Sequence, residues 1–568
     1  MKNTQAPGQN LGPILAALFA AVPSLAVAQA VAPVTPDAGS LLRQIQPTPL
    51  RTPAATGADL TVEKETATKR PSGEAFLVSA IRITGNKKID TATLHALVTE
   101  GEGKRLTLAE LEKLVDRITQ YYRSQGYPLT RAIVPEQTIV GGVVNVQIIV
   151  ARYGKVSLDN RSRVNAPLLL ATISPLATGD DVEQSSLDKA LLLLADIPGV
   201  VVAATLKPGD TMGSSDLDIT ATSGPGASGN VVLDNAGNRY TGRARVGASV
   251  NIIDPLNLKF SNVISLSALT SGAGLNYARV AYESVVNGAG SRLGGAYSVL
   301  RYKVGGSLAA VNAHGTAQVA SLFVKQPFVR SPNANVYGQI QYDQLKLKDR
   351  VDVIATATDR HLENFTVGLS GDVRDSFLSG GVNTWSLSRT AGNVGFSNDA
   401  AQLLDATSAA TQGTFSKWNA SLTRLQSLGS KNGLYFAFSS QWADKNLDSS
   451  QKMSVGGSYS VRAYESGAIS GDSAYLSTVE YRHDLGLLGE GQWQAVAFAD
   501  SANVTVSKTP WFTGANTATL NGVGLGLNWA GLNRWNVKAY VANPVGGTPD
   551  LIGTKTSTRT WLEINRIF

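Results

Sequence analysis

From residue 229 to Phe568 the chain alternates apolar and polar side chains with a period of two, and helical periodicity is absent. About sixteen segments of ~8–12 residues carry the pattern, separated by Gly, Asn, Asp and Ser turns. Val523, Leu525, Leu527 and Trp529 fall on one face of a strand, and Gly524, Gly526 and Asn528 on the other. Phe365, Val367 and Leu369 alternate with Thr366, Gly368 and Ser370 in the same way, as do Leu434, Phe436 and Phe438 with Tyr435, Ala437 and Ser439. A soluble sandwich would bury such faces with about seven to nine strands and a well-charged surface. Here Asp, Glu, Lys and Arg make up only 16% of the residues, against about 25% in an average soluble domain. Beyond the first thirty residues no apolar run approaches the ~20 residues that a helix needs to cross a bilayer. The pattern predicts a transmembrane β-barrel of about sixteen antiparallel strands over residues 225–568, with a small, polar inner face. Residues 443–472 break the alternation and read as a long loop between the eleventh and twelfth strands.

Upstream the periodicities change. Residues 1–30 read as a signal peptide: Lys2 supplies the positive end, an apolar stretch runs from Leu11 to Val22, and Ala26-Val-Ala28 and Ala28-Gln-Ala30 offer cleavage sites. Residues 31–73 are rich in Pro, Thr and Ala and read as a linker. One short helix interrupts it, residues 40–46, with Ser40 as N-cap, Leu41, Leu42 and Ile45 on one side, and Pro47 as its stop. So short a helix is marginal alone and must dock on something. Residues 74–153 have the order strand, helix, helix, strand, strand. Thr107-Leu-Ala-Glu110 is a capping box, and Leu111, Leu114, Val115, Ile118 and Tyr122 form the helix stripe that follows it. Residues 154–224 repeat that order, which marks an internal duplication of architecture.

Several chemistries are excluded or weak. With no cysteine there is no disulfide, thiolate metal site or cysteine nucleophile, and the four histidines form no zinc-hydrolase spacing. Gly522-x-Gly524-x-Gly526 lies on one strand face with no helix after it, so it is not a phosphate loop. Gly471-Asp-Ser-Ala474 reads as loop chemistry, and a lipase-type Ser/His pair involving His483 is supported by composition alone. No catalytic residue, metal or cofactor is expected. The formal charge of +7 comes without a Lys/Arg cluster interleaved with aromatics, so no nucleic acid is expected, and arginines lining a lumen account for the charge.

Two motifs lie in the barrel. Val461-Arg-Ala-Tyr464 sits in the long loop, and Phe498-Ala-Asp-Ser-Ala502 on the strand after next. Asp500 shares a face with Gln494, Val496 and Phe498, while Trp493, Ala495, Ala497 and Ala499 occupy the lipid-suited face. Asp500 therefore points into the lumen, where a lone carboxylate is costly and an inward-folded loop arginine, Arg462, is the natural partner.

The architecture and these motifs together resemble the two-partner secretion transporters, the hemolysin secretion/activation (TpsB) branch of the outer-membrane assembly-factor superfamily. Val461-Arg-Ala-Tyr464 is similar to that family's V-R-G-[FY] motif, and Phe498-Ala-Asp-Ser-Ala502 to its F-x-D-x-G motif, with Ala463 and Ala502 where glycine is usual. The resemblance implies that the two α/β units are periplasmic POTRA modules, that the first helix plugs the barrel, and that Arg462 and Asp500 lock the loop to the wall. It implies secretion, with activation left open, of a large TpsA-type exoprotein such as a filamentous adhesin or hemolysin, unfolded in transit. It also implies residence in the outer membrane of a Gram-negative bacterium, among outer-membrane lipid. Phe568, with Leu562 and Ile564 on its strand face, resembles the terminal signal read by the barrel-assembly machinery. The alternatives are a barrel-insertion factor, which usually carries more modules, and a passive porin, which would leave the modules without a role.

Overall fold

The computed structural model describes residues 35–45, 58–62, 74–255, 261–552 and 557–568. The expected signal peptide, the end of the expected plug helix at Gln46, and Pro47 lie outside them.

Sixteen strands, from Ala227–Asp234 to Arg559–Ile567, close into a barrel in which every strand pairs with its neighbour in sequence. First and last strands pair antiparallel from Asn230↔Ile567 to Asp234↔Glu563, and Gly229 and Phe568 exchange two backbone hydrogen bonds beyond that register. Phe568, Leu562 and Leu322, Ile340, Phe365 and Val367 are exposed on the outer wall. Strand lengths run from eight residues to the twenty of Thr356–Asp375, well past the expected range. The extra length is greatest in the sixth to eighth strands, Ala313–Arg330, Ala334–Val351 and Thr356–Asp375. The inner face is also less polar than expected, because Leu300, Leu345, Leu347 and Leu362 are buried inside against the plug helix.

That helix, α1 (Ala38–Gln44), has its N-cap three residues earlier than the sequence suggested. Asp37 is its N-cap and Ser40 is the third residue of a capping box: the Ser40 amide donates to Asp37 and the Ser40 hydroxyl accepts from the Asp37 amide. Both residue types cap well, so composition alone leaves the start ambiguous. The linker reading also needs correction. Ala58–Val62 forms a strand, β1, pairing parallel with Val200–Pro208 at the edge of the second α/β module.

In the first module Ala80–Thr84 runs parallel to Val143–Ile149, and Arg131–Ile133 pairs antiparallel on the far side. Thr107 and Glu110 cap the helix Leu108–Ser124, whose buried residues Leu111, Val115, Ile118 and Tyr122 pack on Val144 and Val146. The second module repeats the order with strands Arg152–Arg161, Val200–Pro208 and Ser214–Ser223 and helices Ala166–Ile173 and Gln184–Ala195. Its first strand starts at Arg152, and Ala151 and Tyr153 already belong to its core, so a division after Tyr153 cuts into the second unit.

This second module docks on the barrel rim by the packing of Ala171 on Gly288, a Ser261 hydrogen bond to the Pro198 carbonyl, and a charged clamp. Arg330, its side chain 1% exposed, grips Asp196 with Nε–Oδ2 at 2.7 Å and Nη2–Oδ1 at 2.9 Å, and Arg292 donates to the Asp196 carbonyl at 2.7 Å. Asp196→Ala strands that guanidinium, so spin labels placed on module and barrel should report a broadened distance distribution while the barrel stays folded. An unchanged distribution would show that the clamp does not hold the module.

Candidate functional site in the barrel lumen

The long loop, joining the strands that end at Ala443 and begin at Ser473, folds into the lumen and carries a two-strand hairpin, Met453–Val455 with Ile469–Gly471. Its tip brings Arg462 onto the inner wall. The Asp500 carboxylate accepts from the Arg462 backbone amide (3.0 Å), Nε (2.9 Å) and Nη2 (2.8 Å), and from the Thr478 hydroxyl (3.0 Å). Arg462 and Asp500 are both buried. The guanidinium centre lies 3.4 Å from the Phe498 ring centroid and 5.4 Å from that of Tyr540, so Phe498 serves as a cation–π floor two residues from the carboxylate. Val461, Ala463, Tyr464, Phe498 and Ala502 share one buried apolar cluster around it. Trp561 Nε1 donates to the Arg462 carbonyl at 2.7 Å, fastening the tip to the last strand as well.

Neither Ala463 nor Ala502 has a positive φ, so neither position requires glycine for its backbone. The glycine need lies opposite: a Cβ on Gly522 would strike the Ala463 methyl. Gly522 is the register partner of Asp500, so a bare wall position lets the loop approach beside the ion pair.

Sequence reasoning missed three groups. Glu480 accepts from Arg462 Nη1 at 2.6 Å and is itself gripped by the half-buried Arg482, which makes the pair part of a chain of four charges. The strand parity that places Asp500 inside also places Glu480 there, but a carboxylate with an arginine two residues away looks self-satisfied. Glu465 on the same loop binds Arg239, Arg243 and Arg559, tying the tip to the first hairpin and the last strand.

The third group holds the plug. Leu41 is fully buried among Leu300, Tyr302, Leu345 and Leu347, and Leu42 and Ile45 are partly buried against the same cluster. Arg360 reaches Asp448 of the long loop at 2.6 Å, Asp37 of α1 at 3.2 Å, and Asp349 of the wall. Asp349 also accepts from the Ala38 amide (2.8 Å) and the Tyr302 hydroxyl (2.7 Å), and Ser449 donates to Asp37 at 2.6 Å. Gly39 lies directly against Ser449 and Ser450, with no room for a methyl group. Plug and loop thus share one arginine.

A closed barrel entered by a helix and an inward loop, with α/β modules docked at one rim, defines the class of outer-membrane transport barrels. The chain belongs to the haemolysin secretion/activation protein ShlB/FhaC/HecB family, whose model matches residues 213–529, and a ShlB-type POTRA domain matches residues 76–150. It is an outer-membrane transporter of two-partner secretion with its POTRA modules in the periplasm. The heme/hemopexin transporter protein HuxB of Haemophilus influenzae is 26% identical over 543 residues, 94% of this chain and 95% of the relative. Outer membrane transporter CdiB of Escherichia coli is 24% identical over 479 residues, 81% of this chain and 79% of the relative. The solved structure of CdiB from Escherichia coli shares the fold with a TM-score of 0.68 at 20% identity, covering 91% of this chain and 94% of that one.

Proposed function

We propose that the chain exports one large, extended exoprotein from periplasm to cell surface by displacing two elements from its own lumen. The observation that carries this reading is Arg360, which holds Asp37 of the plug helix and Asp448 of the loop with a single side chain. A passive porin needs no such shared catch. In this reading cargo is recognised at the modules, in extended form, by addition to a strand edge. The loop tip then stays anchored by Arg462 and Asp500 until cargo arrives. The similarity to a heme/hemopexin transporter over almost the whole chain favours a cargo of haem acquisition over an adhesin or hemolysin. Lipid covers the outer wall, and the strand ending at Phe568 is the element read by the barrel-assembly machinery.

The test looks for a large exoprotein encoded beside this reading frame and follows its export. The exoprotein should reach the surface with the intact chain and accumulate, degraded, in the periplasm without it; equal surface display in both strains would sink the proposal. The plug makes its own prediction. Deleting residues 35–45 removes α1 but leaves β1 in place, and should raise single-channel conductance or open probability in planar bilayers severalfold. Unchanged conductance would show that the helix does not limit the pore.

A further inference from the structure

Arginines lining the lumen account for only part of the positive charge. Arg301 and Lys303 on the fifth strand (Arg292–Lys303), and Lys346 and Lys348 on the seventh (Ala334–Val351), are exposed. They alternate with Leu300, Tyr302, Leu345 and Leu347, which are buried on the plug, so these four cations point outward, away from the lumen. Arg330, at the end of the sixth strand, meets the periplasmic module, which puts the opposite ends of these strands, and the four cations, on the extracellular side. Among the described residues none of the four makes a salt bridge or a side-chain hydrogen bond, and Asp359, the register partner of Lys348, is already gripped by Arg350. Arg301 and Lys348 both flank Thr316 in register, so they stand two strands apart, about 10 Å.

Below Arg301, and to the side of Lys346 and Lys348, lies a second feature on the second to fifth strands. The outer wall has a shallow apolar hollow of about 410 Å³ lined by Val250, Leu266, Ala268, Val280, Tyr297 and Val299. It exists because Ala248, Ala268 and Ala278 fall in one row across adjacent strands, beside Val299. Arg301 is the next outward residue above Val299 on its strand, at the rim of the hollow. Unpaired cations over an apolar recess, at the height where the lipid-facing belt ends, match an amphiphile with an acyl chain below and anionic groups above.

We propose that this face is a binding site for a phosphorylated glycolipid of the outer leaflet. An acyl chain fills the hollow, one phosphate is held by Arg301 and Lys303, and a second by Lys346 and Lys348. The inference rests on residence in the outer membrane, which the family establishes, and not on the identity of the cargo.

The full chain, purified in detergent, is mixed with bisphosphorylated lipid A in mixed micelles, and bound lipid is counted by native mass spectrometry. Replacing Arg301, Lys303, Lys346 and Lys348 together by Gln should weaken binding by about tenfold or more. The charge-keeping set Arg301→Lys, Lys303→Arg, Lys346→Arg and Lys348→Arg should restore most of it. Lipid A stripped of both phosphates should bind the unaltered chain no better than intact lipid A binds the Gln variant. Heat-modifiable migration on gels checks that each variant is a folded barrel. Binding by the Gln variant within about twofold of the unaltered chain, or equal binding of the dephosphorylated lipid, would overturn the proposal.

Discussion

Arg462→Ala should cut export of the exoprotein by roughly tenfold or more while the barrel still inserts and migrates as a folded species. The substitution removes the one cation between Asp500 and Glu480, leaving two buried carboxylates with only Arg482 nearby. Removing one partner of such a buried cluster costs about 3–5 kcal/mol, enough to release the loop tip from the wall. Asp500→Ala should be milder, because Arg462 keeps Glu480 as a partner and Phe498 beneath it. The double variant should be no worse than Arg462→Ala alone, as expected of residues that act as one unit. Immunoblots of exoprotein in the medium, set against barrel content of the membrane, read all three. Losses that add in the double variant, or full export by Arg462→Ala, would remove the lock from the mechanism.

Loss of the first module should be more severe. Deleting residues 74–150 keeps Ala151 and Tyr153, which the second core requires, and keeps β1 on its edge. Export should fall below detection while the barrel still inserts and conducts, because the pore would persist without the surface that delivers cargo to it. Continued export by that variant would mean that the second module or the barrel recognises cargo unaided.

The barrel was legible because lipid forces one side of every strand to be apolar, and a period of two then survives in a single sequence. The same signal faded where the strands leave the membrane. Above Tyr342 the outward residues are Gln344, Lys346 and Lys348, so hydrophobic alternation stops although pairing with the next strand continues to Val351. That is why segments of about a dozen residues turned out to be strands of eighteen or twenty. Residues 443–472 stood out for the opposite reason: a loop packed on all sides keeps no period. Strand β1 was hidden because it is held by backbone bonds to a strand some 140 residues away, with Leu60 packing on the core. Arg462 and Asp500 were legible as a pair from parity and motif. Glu480, Arg360 and Asp349 were not, since they are drawn together by the inward loop and the plug helix, whose positions leave no mark in local strand spacing.

Residues 37 and 38 meet their partners across very long stretches of chain: the Ala38 amide binds Asp349, 311 positions on, and Asp37 binds Ser449, 412 positions on. Seven helical residues have no stability of their own. The plug can take up its place only after the strands that form its seat have been synthesised and joined, up to the seam between the first strand and the last. A segment made before any barrel strand therefore settles after they have formed, and synthesis and docking run in opposite order. Each molecule then passes through an unplugged barrel during its own biogenesis, and under the proposed mechanism the step that ends assembly is the step that transport must later undo.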